Sequence, residues 1–352
     1  MKKIGLLTFH DTTNFGSWLQ TYGLYDAICR LGYECNVIDY KCDEITKREI
    51  PKKFAFSFNP KTIIKDILFT SFQRRKYSAL KSITEQKMVL SPACNRSSIP
   101  QVAADYDKIV IGSDIVWGLD ITNYDMSYFL DFISSKDKKI AFSSSIGTPW
   151  TPEQIKKIRK YLIDFEAIAM RETDAAQQVE SIINRPVETV CDPTMLVDKQ
   201  VWADMATHKR EKTKYCLVYF DTHSGEALNY AKNWAAKNHA KVKFINYGLP
   251  KSGVENVRPV TVGDFLGLIK DAEFICTASY HGLLFSIYFN RQFRYFNRAH
   301  KSRMESLTQK LGVNEFNGEC DLNEFIDYGK INKIVSEFRA HSMSVLKGML
   351  GL

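Results

Sequence analysis

The first forty residues alternate between strand and helix patterns in an order that few folds accommodate. An apolar run over 3–9 is followed by a polar loop, 10–16, and by a helical pattern over 17–31. Gly32 is a suitable helix stop, and a second strand pattern over 34–40 follows at once. This order predicts a βαβ unit, which implies a parallel sheet with helices on its faces.

The same alternation continues along the chain and is interrupted by a turn and a charged helix near 150–166. A chain of 352 residues is also too long for one ordinary core. The sequence therefore predicts an α/β fold class with two Rossmann-like domains facing a cleft. We place the N-terminal domain at 1–165. The C-terminal domain, which includes the C-terminal helices, is placed at 166–352.

Neither secretion nor a membrane span is predicted. The apolar run near the N-terminus ends at Asp11, Asn14 and Gly16 before it could serve as a secretory core segment. The longest stretch without Lys, Arg, Asp or Glu in the C-terminal half, 274–290, is too short to cross a bilayer. The 8 cysteines show no CxxC pair and are expected to be reduced thiols. We therefore expect a cytoplasmic protein.

The positive charge is concentrated in one basic segment, 47–82. Its ten Lys and Arg residues against two acids give it a net charge of +8, equal to that of the whole chain. Aromatic side chains lie between the charges, which is typical of surfaces that bind anionic membranes or nucleic acids. A solvated helical face with a buried apolar side explains the same pattern. Because the charge is confined to one segment, a nucleic-acid partner is disfavoured.

Several common motifs of nucleotide and hydrolytic sites are absent. We find no GxGxxG, GxxxxGK[ST], HExxH or GxSxG pattern. Their absence removes the commonest dinucleotide, NTP, zinc-peptidase and esterase interpretations. Asp105-Tyr-Asp107 resembles the metal-binding triplet of some glycosyltransferases, but it precedes its strand. Ligands of open parallel sheets bind beyond the carboxyl ends of the strands, so this triplet lies at the wrong end.

Polar residues collect where the predicted strands end, and these positions form the candidate site. They are 10–16, 112–114, 143–147, 171–172, 192–193 and 279–282. We expect Asp192 to hold a loop. Asp114 and Trp117 are interpreted either as a turn and a core anchor or as sugar contacts.

His281 lies between an apolar strand and an apolar helical segment. If Ser279 or Tyr280 caps that helix, the unpaired N–H groups and the positive end of the helix dipole form an anion site. Gly282 would then let a ligand approach the backbone closely. An imidazole at this point could act as a general acid. The alternative is a histidine that only caps its helix.

Arginines supply the candidate fixed charges. Arg171 ends a strand of small and apolar residues, and its guanidinium suits bidentate contact with phosphate or carboxylate. The alternative is a salt bridge with Glu172 or another neighbour. Arg298 and Arg303 follow a later strand and could approach the same pocket, or they belong to a solvated loop that leads into a helix.

Seven sequence stretches together resemble the polysaccharide pyruvyl transferase family over about residues 4–312. In order, they are LTFHDTTNFGSWLQTYGLYDAI, IGSDIVWG, YFLDF…KKIAFSSSIGT, MRETDA, VCDPTML, TASYHGLLFSIYFNRQF and SRMESLTQKLG. The resemblance implies a GT-B-like glycosyltransferase architecture. It also implies transfer of the enolpyruvyl unit of phosphoenolpyruvate to a hexose without a metal or other cofactor. The expected product is a cyclic pyruvate ketal, with the 4- and 6-hydroxyls of galactose as first choice and an N-acetylhexosamine as second.

The resemblance also assigns roles to individual residues. His281 matches the proposed catalytic histidine of the family, and Arg171 matches the arginine that contacts the donor. The expected donor-binding residues are Ser279, Tyr280, Gly282, Arg298 and Arg303. The expected acceptor-side residues are His10, Asn14, Phe15, Gly16, Gln20 and Asp114. Tyr280 stands where many relatives have phenylalanine.

Bacterial polysaccharides are often assembled on a polyprenyl phosphate carrier at the inner face of the membrane. The basic segment 47–82 is therefore expected to bring the enzyme to anionic lipid or, alternatively, to contact another protein chain. The main rival function is that of a GT-B glycosyltransferase that uses a nucleotide sugar. The second domain shows no clear ExxxxxxE arrangement for such a donor.

Overall fold

The computed structural model describes residues 2–51, 70–207, 213–297 and 301–352. The strands in these ranges are β1 (Lys3–Leu7), β2 (Glu34–Val37), β3 (Lys108–Ile111), β4 (Lys139–Ser144), β5 (Ala167–Met170), β6 (Glu188–Thr189), β7 (Tyr215–Tyr219), β8 (Lys241–Ile245), β9 (Glu255–Val257), β10 (Phe274–Thr277) and β11 (Gln292–Tyr295).

The α-helices in the same ranges are α1 (Phe15–Arg30), α2 (Asp43–Glu49), α3 (Ser71–Lys87), α4 (Ile99–Ala103), α5 (Leu119–Thr122), α6 (Pro152–Ile163), α7 (Thr173–Ile183), α8 (Lys199–Met205), α9 (Glu226–Lys237), α10 (Val262–Lys270), α11 (Tyr280–Tyr288), α12 (Lys301–Leu311) and α13 (Tyr328–Leu350).

The strands form two parallel sheets. The first has the order β2-β1-β3-β4-β5-β6, and the second has the order β11-β10-β7-β8-β9. Every strand pair in the two sheets is parallel, and helices connect most successive strands. The two parallel sheets with their connecting helices confirm the predicted α/β class with two Rossmann-like units.

Each sheet has one point at which its strand order reverses direction. In the first sheet this switch point lies between β1 and β3, and in the second it lies between β7 and β10. Open parallel sheets bind ligands in the crevice beyond the carboxyl ends of the strands at such a point. We call the loops after β1 and β3, with the adjoining strand ends, the first switch region. The loops after β7 and β10 form the second switch region.

The chain divides into two compact units. Unit 1 comprises Met1–Ile50, Lys81–Val197 and Val335–Leu352, and unit 2 comprises Pro51–Leu80 and Asp198–Ile334. This division differs from the boundary that we predicted at 165/166. The physical reason is that β5 and β6 continue the first sheet beyond β4, so the break in the sequence pattern near 150–166 falls inside a unit.

The C-terminal helix also crosses the predicted division. The larger part of α13 belongs to unit 1, where the Tyr33 hydroxyl donates to the carbonyl oxygen of Leu350 at 2.8 Å. The backbone N–H of Cys191 donates to Ser342 Oγ, also at 2.8 Å. Long-range contacts of this kind leave no local signal in the sequence.

Local signals explain where several helices begin and end. Asn14 caps α1 through its side-chain oxygen, which accepts from the N–H of Gly16 at 2.9 Å. Thr151 and Thr261 form capping boxes at the starts of α6 and α10. Gly32 follows α1 with φ of 86°, a conformation that favours glycine.

Each unit has an aromatic core. In unit 1, the Trp117 ring stacks on Phe129 with 5.4 Å between ring centroids and packs edge-on against Phe165. In unit 2, the Trp234 ring stacks on Phe274 at 4.8 Å. Trp117 is fully buried, which confirms its interpretation as a core anchor and excludes a direct sugar contact in this conformation.

Much of the basic segment 47–82 lies outside the described residues, because 52–69 are not among them. Its predicted contact with anionic lipid or a partner chain therefore stays a prediction. Among the helices that are described, none is both long enough and apolar enough to cross a bilayer.

Candidate active site

The first switch region is held together by a closed set of hydrogen bonds. Thr8 Oγ1 donates to the carbonyl oxygen of Ser113 at 3.0 Å, and the Ser113 N–H donates to Gln20 Oε1 at 3.0 Å. Gln20 Nε2 completes the set by donating to Thr8 Oγ1 at 3.1 Å. All three residues are buried. Gln20, which we expected on the acceptor side, therefore ties α1 to the ends of β1 and β3.

Asp114 is held in the same region by α1. The Ser17 hydroxyl donates to Asp114 Oδ2 at 2.6 Å, and the N–H of Ile115 donates to Oδ1 at 2.9 Å. Asp114 has φ of 71°, a left-handed conformation that is costly for a residue with a side chain. The sequence left two interpretations of Asp114 open, a turn residue or a sugar contact. The structure shows the turn, and the sugar contact stays a prediction.

The predicted acceptor residues at the start of α1 serve the helix itself. Asn14 is the N-cap, and Phe15 and Gly16 form the first turn, whereas we predicted that all three lie in a loop. The Phe15 side chain is fully buried. Their predicted role on the acceptor side stays a prediction.

His10 takes part in a buried charge network. Its Nε2 lies 2.8 Å from Asp39 Oδ1, and Lys41 Nζ lies 2.7 Å from the same oxygen and 2.6 Å from Asp11. Burial raises the pKa of Asp39, but the hydrogen bonds from His10 and Lys41 outweigh burial and lower the pKa to about 2. His10 is therefore engaged by an acid of its own unit.

Arg171 lies in a cluster of buried charges at the ends of β5 and β6. Its Nε donates to Glu172 Oε1 at 2.9 Å, and its Nη1 donates to Asp192 Oδ2 at 2.8 Å. The same Nη1 lies 3.4 Å from Ser113 Oγ, so the cluster adjoins the first switch region. All three charged side chains are almost completely buried. The salt bridge with Glu172, which the sequence left as an alternative, is therefore present.

The cluster joins the Arg171 guanidinium to the carboxylates of Glu172 and Asp192. Asp192 also accepts from the N–H of Thr194 at 3.0 Å, so it holds its loop as predicted. Glu172 Oε2 is buried without a hydrogen-bond partner among the described residues. The predicted donor contact of Arg171 stays a prediction, and in this conformation its Nε and Nη1 are engaged by the two carboxylates.

His281 lies in the second switch region, in the first turn of α11 and directly after β10. Ser279 is the N-cap, and its hydroxyl accepts from the N–H of Gly282 at 3.2 Å. Of the two candidate caps, Ser279 is therefore the one observed. His281 is 8% exposed, and its ring lies edge-on to the Tyr280 ring at 5.3 Å. The helix start places backbone N–H groups and the imidazole together, as predicted.

Gly282 has a packing role that differs from our expectation. A Cβ atom at this position would lie 2.4 Å from Thr277 Oγ1 and 2.9 Å from Tyr219 Cδ1. Glycine is thus required because the end of β10 and the Tyr219 ring occupy the space, and the predicted approach of a ligand to its backbone stays a prediction.

The predicted donor arginines have different outcomes. The Arg303 guanidinium carbon lies 6.0 Å from the centroid of the Tyr280 ring, so Arg303 is a cation close to the start of α11. Arg298 lies outside the described residues, and its role stays a prediction.

Two aromatic residues of the second switch region were missed by the sequence analysis. Burial raises the pKa of Tyr219, an effect that a hydrogen bond with Ser279 partly offsets. Phe220 follows β7 with φ of 55°, and it is 45% exposed although its ring packs at 4.7 Å on Tyr219. A strained and exposed aromatic at a switch point suggests a ligand contact. The only local signal was its place at the end of an apolar strand.

The carboxylate of the second switch region is occupied by its own helix. Asp221 Oδ1 accepts from the backbone N–H groups of Thr222, Ala227 and Leu228 at 2.8, 3.0 and 3.3 Å. Across the described part of the chain, no group of three or more His, Cys, Asp or Glu has an arrangement suited to a metal ion.

Comparison with known proteins gives one family match. A family model described as polysaccharide pyruvyl transferase matches residues 14–300, a range that contains the second switch region, the Arg171 cluster and, from Asn14 onward, the rest of the first switch region. No curated protein sequence matches the chain.

Similar solved structures have low sequence identity to this chain. The UDP-GlcNAc 2-epimerase from Neisseria meningitidis is 11% identical, with 97% of this chain and 100% of that chain covered and a TM-score of 0.47. The UDP-GlcNAc 2-epimerase from Methanocaldococcus jannaschii is 13% identical, with 96% and 92% covered and a TM-score of 0.48. A glycosyltransferase from Streptomyces sp. SF2575 is 11% identical, with 99% and 100% covered and a TM-score of 0.46. At these identities the similarity concerns the fold alone.

Proposed function

The chain belongs to the polysaccharide pyruvyl transferase family, and on that premise we propose that it uses phosphoenolpyruvate as its donor. The enolpyruvyl group is transferred to a hexose of a bacterial surface polysaccharide or of its polyprenyl-phosphate-linked precursor, and phosphate is released. The first acceptor to test is galactose, with a ketal across its 4- and 6-hydroxyls. The proposed setting is the cytoplasm, at the inner face of the membrane.

The position of His281 carries this proposal. It lies at the switch point of the second sheet, where ligands of such sheets bind, and in the first turn of a capped helix. The helix start offers N–H donors and a positive dipole end to the phosphate or carboxylate of the donor. Arg303, beside Tyr280, adds a cation to the same unit. A small anion with two acidic groups fits this combination.

In the proposed reaction His281 gives a proton to the methylene carbon of phosphoenolpyruvate. A sugar hydroxyl attacks the adjacent carbon, where positive charge develops, and its proton returns to His281. The bond between that carbon and the phosphate oxygen then breaks, the second hydroxyl closes the ring, and the second proton leaves with the phosphate. One donor and one diol thus give one ketal and one inorganic phosphate. The chemistry required of the protein is acid–base catalysis and fixed positive charge.

Arg171 takes a different role in the proposal from the one that the family resemblance implies. Its guanidinium is already shared between Glu172 and Asp192 in a buried cluster. A donor at this position would share the guanidinium with these two carboxylates. We therefore assign to Arg171 the task of holding the loops after β3, β5 and β6 in place. A variant at this position separates the two roles, as described in the Discussion.

Product analysis tests the proposal directly. The purified protein is incubated with phosphoenolpyruvate and a panel of lipid-linked sugars, and mass spectrometry is used to find the added ketal mass together with released phosphate. A parallel reaction supplies UDP-sugars, which tests the rival glycosyltransferase function. Sugar transfer from a UDP-sugar, with no ketal formed from phosphoenolpyruvate, would refute the proposal.

A pair of histidine variants tests the assigned acid. His281→Ala is expected to lower the rate of ketal formation by about 10²- to 10⁴-fold, the usual contribution of a general acid. The matched control is His341→Ala, because His341 lies on the exposed face of α13. The control should retain the wild-type rate. Equal rates for the two variants would remove His281 from the mechanism.

A further inference from the structure

Helix α6 presents a strongly basic face that the proposed reaction does not use. Its sequence, PEQIKKIRKYLI, places Ile158 and Leu162 in the core of unit 1. The helical period then turns Lys156, Lys157, Arg159 and Lys160 outward, and all four side chains are exposed. We call these four residues, with the neighbouring Tyr124, Tyr161 and Ile163, the α6 basic surface.

The α6 basic surface lines an open cavity of about 700 Å³. Its lining contains the four cations together with aromatic and aliphatic side chains, and it contains no carboxylate. Lys157 Nζ lies 5.0 Å from the centroid of the Tyr124 ring, and Lys160 Nζ lies 4.7 Å from that of Tyr161. These cation–π contacts hold the ammonium groups over the rings, at the wall of the cavity.

The cations of this surface are not neutralised within their own unit. In the described part of the chain, none of the four forms an ion pair with a carboxylate. The nearby acids on either side lie outside the lining: Glu153 belongs to the first turn of α6, and Asp164 forms an ion pair with Lys139. Four like charges on adjacent turns repel one another, and this repulsion destabilises the helix. An anionic partner would reduce the repulsion.

We infer that the α6 basic surface binds the phosphate headgroups of an anionic membrane. The cations supply charge complementarity, since each Lys or Arg near an anionic bilayer adds favourable energy. The apolar side chains decide between a lipid surface and a nucleic acid. Ile163 is 43% exposed and Tyr124 is 37% exposed at the edge of the cations. Exposed Ile163 suits the interface between headgroups and acyl chains, whereas nucleic acids engage aromatic rings by base stacking and offer an aliphatic side chain no comparable partner.

This inference goes beyond the proposed function and does not depend on it. The surface lies in unit 1 and in residues that are separate from the basic segment 47–82, for which a membrane contact was predicted from composition. Vesicle binding requires neither phosphoenolpyruvate nor a sugar. A failure of the membrane contact and a failure of pyruvyl transfer are therefore distinguishable.

Co-sedimentation with vesicles tests the inference on the full chain. Phosphatidylcholine vesicles are compared with vesicles that also contain about 30 mol% phosphatidylglycerol, at low and at physiological salt. The test variant is K156Q/K157Q/R159Q/K160Q. The control, K237Q/K330Q/K333Q/K347Q, removes the same charge from four exposed lysines elsewhere. We expect the wild type and the control to bind the anionic vesicles, and the test variant to bind at least about tenfold more weakly.

Two outcomes would overturn the inference. If the test variant binds like the wild type, the contact lies elsewhere, for example in the segment 47–82. If test and control variants weaken equally, only net charge matters and α6 has no special role. Thermal unfolding of both variants shows that each is folded, since all eight substituted side chains are exposed.

A second variant separates lipid from nucleic acid. I163S keeps every cation and every aromatic ring and removes the exposed aliphatic group, so it should bind anionic vesicles severalfold more weakly. Its binding to a short single-stranded oligonucleotide should match that of the wild type. If the oligonucleotide binds more tightly than the vesicles and the aliphatic change affects neither, the occupant is a nucleic acid and the lipid inference is wrong.

Discussion

The two switch regions occupy equivalent positions in two parallel sheets but carry opposite kinds of chemistry. In the first, side chains bind one another: Thr8, Gln20 and Ser113 close a ring of hydrogen bonds, and Arg171 adjoins it between two acids. In the second, the backbone of a capped helix start and a histidine are the main polar groups, with aromatic rings around them.

This difference shows that position at a switch point alone does not assign a catalytic role. Buried side chains that already satisfy one another stabilise a fixed geometry, but they offer little to a charged ligand. Each region contains a capped helix start whose first N–H groups its own backbone cannot satisfy, but only in the second does a histidine lie in the first helical turn. We therefore place acid catalysis in the second region and a supporting role in the first. The following four variants test this division.

Arg171→Met is expected to have the largest effect, a loss of stability. Removing the guanidinium breaks two buried ion pairs at once, and the loss of one partner of a buried pair costs about 3 to 5 kcal/mol in the free energy of unfolding. Urea denaturation at pH 7 measures the change. Arg30→Met is the control, because its ion pair with Asp26 is partly exposed and should be worth less than about 1 kcal/mol.

The opposite result would break the comparison. If Arg171→Met unfolds at the wild-type urea concentration and instead raises the KM for phosphoenolpyruvate, the arginine contacts the donor as the family resemblance implies. The first switch region would then belong to the donor site.

In the second switch region, Gly282→Ala should cost about 1 to 3 kcal/mol of stability through overpacking. The new methyl group would meet Thr277 Oγ1 at 2.4 Å, and this hydroxyl is fixed by its hydrogen bond to the carbonyl oxygen of Tyr219 at 2.6 Å. The start of α11 must therefore shift, and ketal formation should fall as well.

Gly348→Ala is the matched control for Gly282→Ala. Gly348 lies inside α13, and a Cβ atom added there would have no atom of the described residues within 4 Å outside its own helix turn. Alanine there should raise the free energy of unfolding by up to about 1 kcal/mol, because it favours the helix. Similar destabilisation by the two changes would show that the close packing at Gly282 is not the cause.

Asp39→Asn tests the charge network near the first region through its pH dependence. The pKa of Asp39 is lowered from 3.8 to about 2 in the folded protein, so its contribution to stability is present above pH 4 and is lost as the pH falls toward 2. At pH 7 the variant should be less stable by about 1 to 2 kcal/mol, after allowance for screening by solvent. Urea denaturation at pH 7 and pH 3 should show the difference shrinking at the lower pH. A constant difference would contradict this assignment.

The smallest expected effect is from Phe220→Ala. The side chain is half exposed, and alanine has the same difficulty with a positive φ, so stability should change by less than about 1 kcal/mol. If the ring stacks on the acceptor sugar, the KM for the acceptor should rise about two- to tenfold. Phe325→Ala, at another exposed phenylalanine, should leave both KM values unchanged. A rise in the KM for phosphoenolpyruvate alone would place Phe220 on the donor side.

Features encoded locally were predicted well from the sequence. The strand at 274–277, the start of α11 and the place of His281 between them follow from an apolar run, a serine cap and helical spacing. The α/β class follows from the repeated alternation of strands and helices. In each case the determining residues are neighbours in sequence.

Features that depend on distant residues were not predicted. Arg171 has partners at Asp192 and Ser113, which are 21 and 58 residues away. Whether Arg171 binds a donor or a neighbouring acid depends on Asp192 and Ser113. Its place at the end of a strand is compatible with both roles. The role of Gly282 depends likewise on the Tyr219 ring, and the boundary between units depends on strand pairing. Periodicity carries no information about such contacts.

The path of α13 determines the order in which the units can be completed during translation. Unit 1 contains residues from both ends of the printed sequence, and its segment Val335–Leu352 follows all of unit 2 along the chain. The bonds from Cys191 to Ser342 and from Tyr33 to Leu350 therefore form only after the ribosome has passed unit 2. The unit synthesised first is thus the one that finishes folding last.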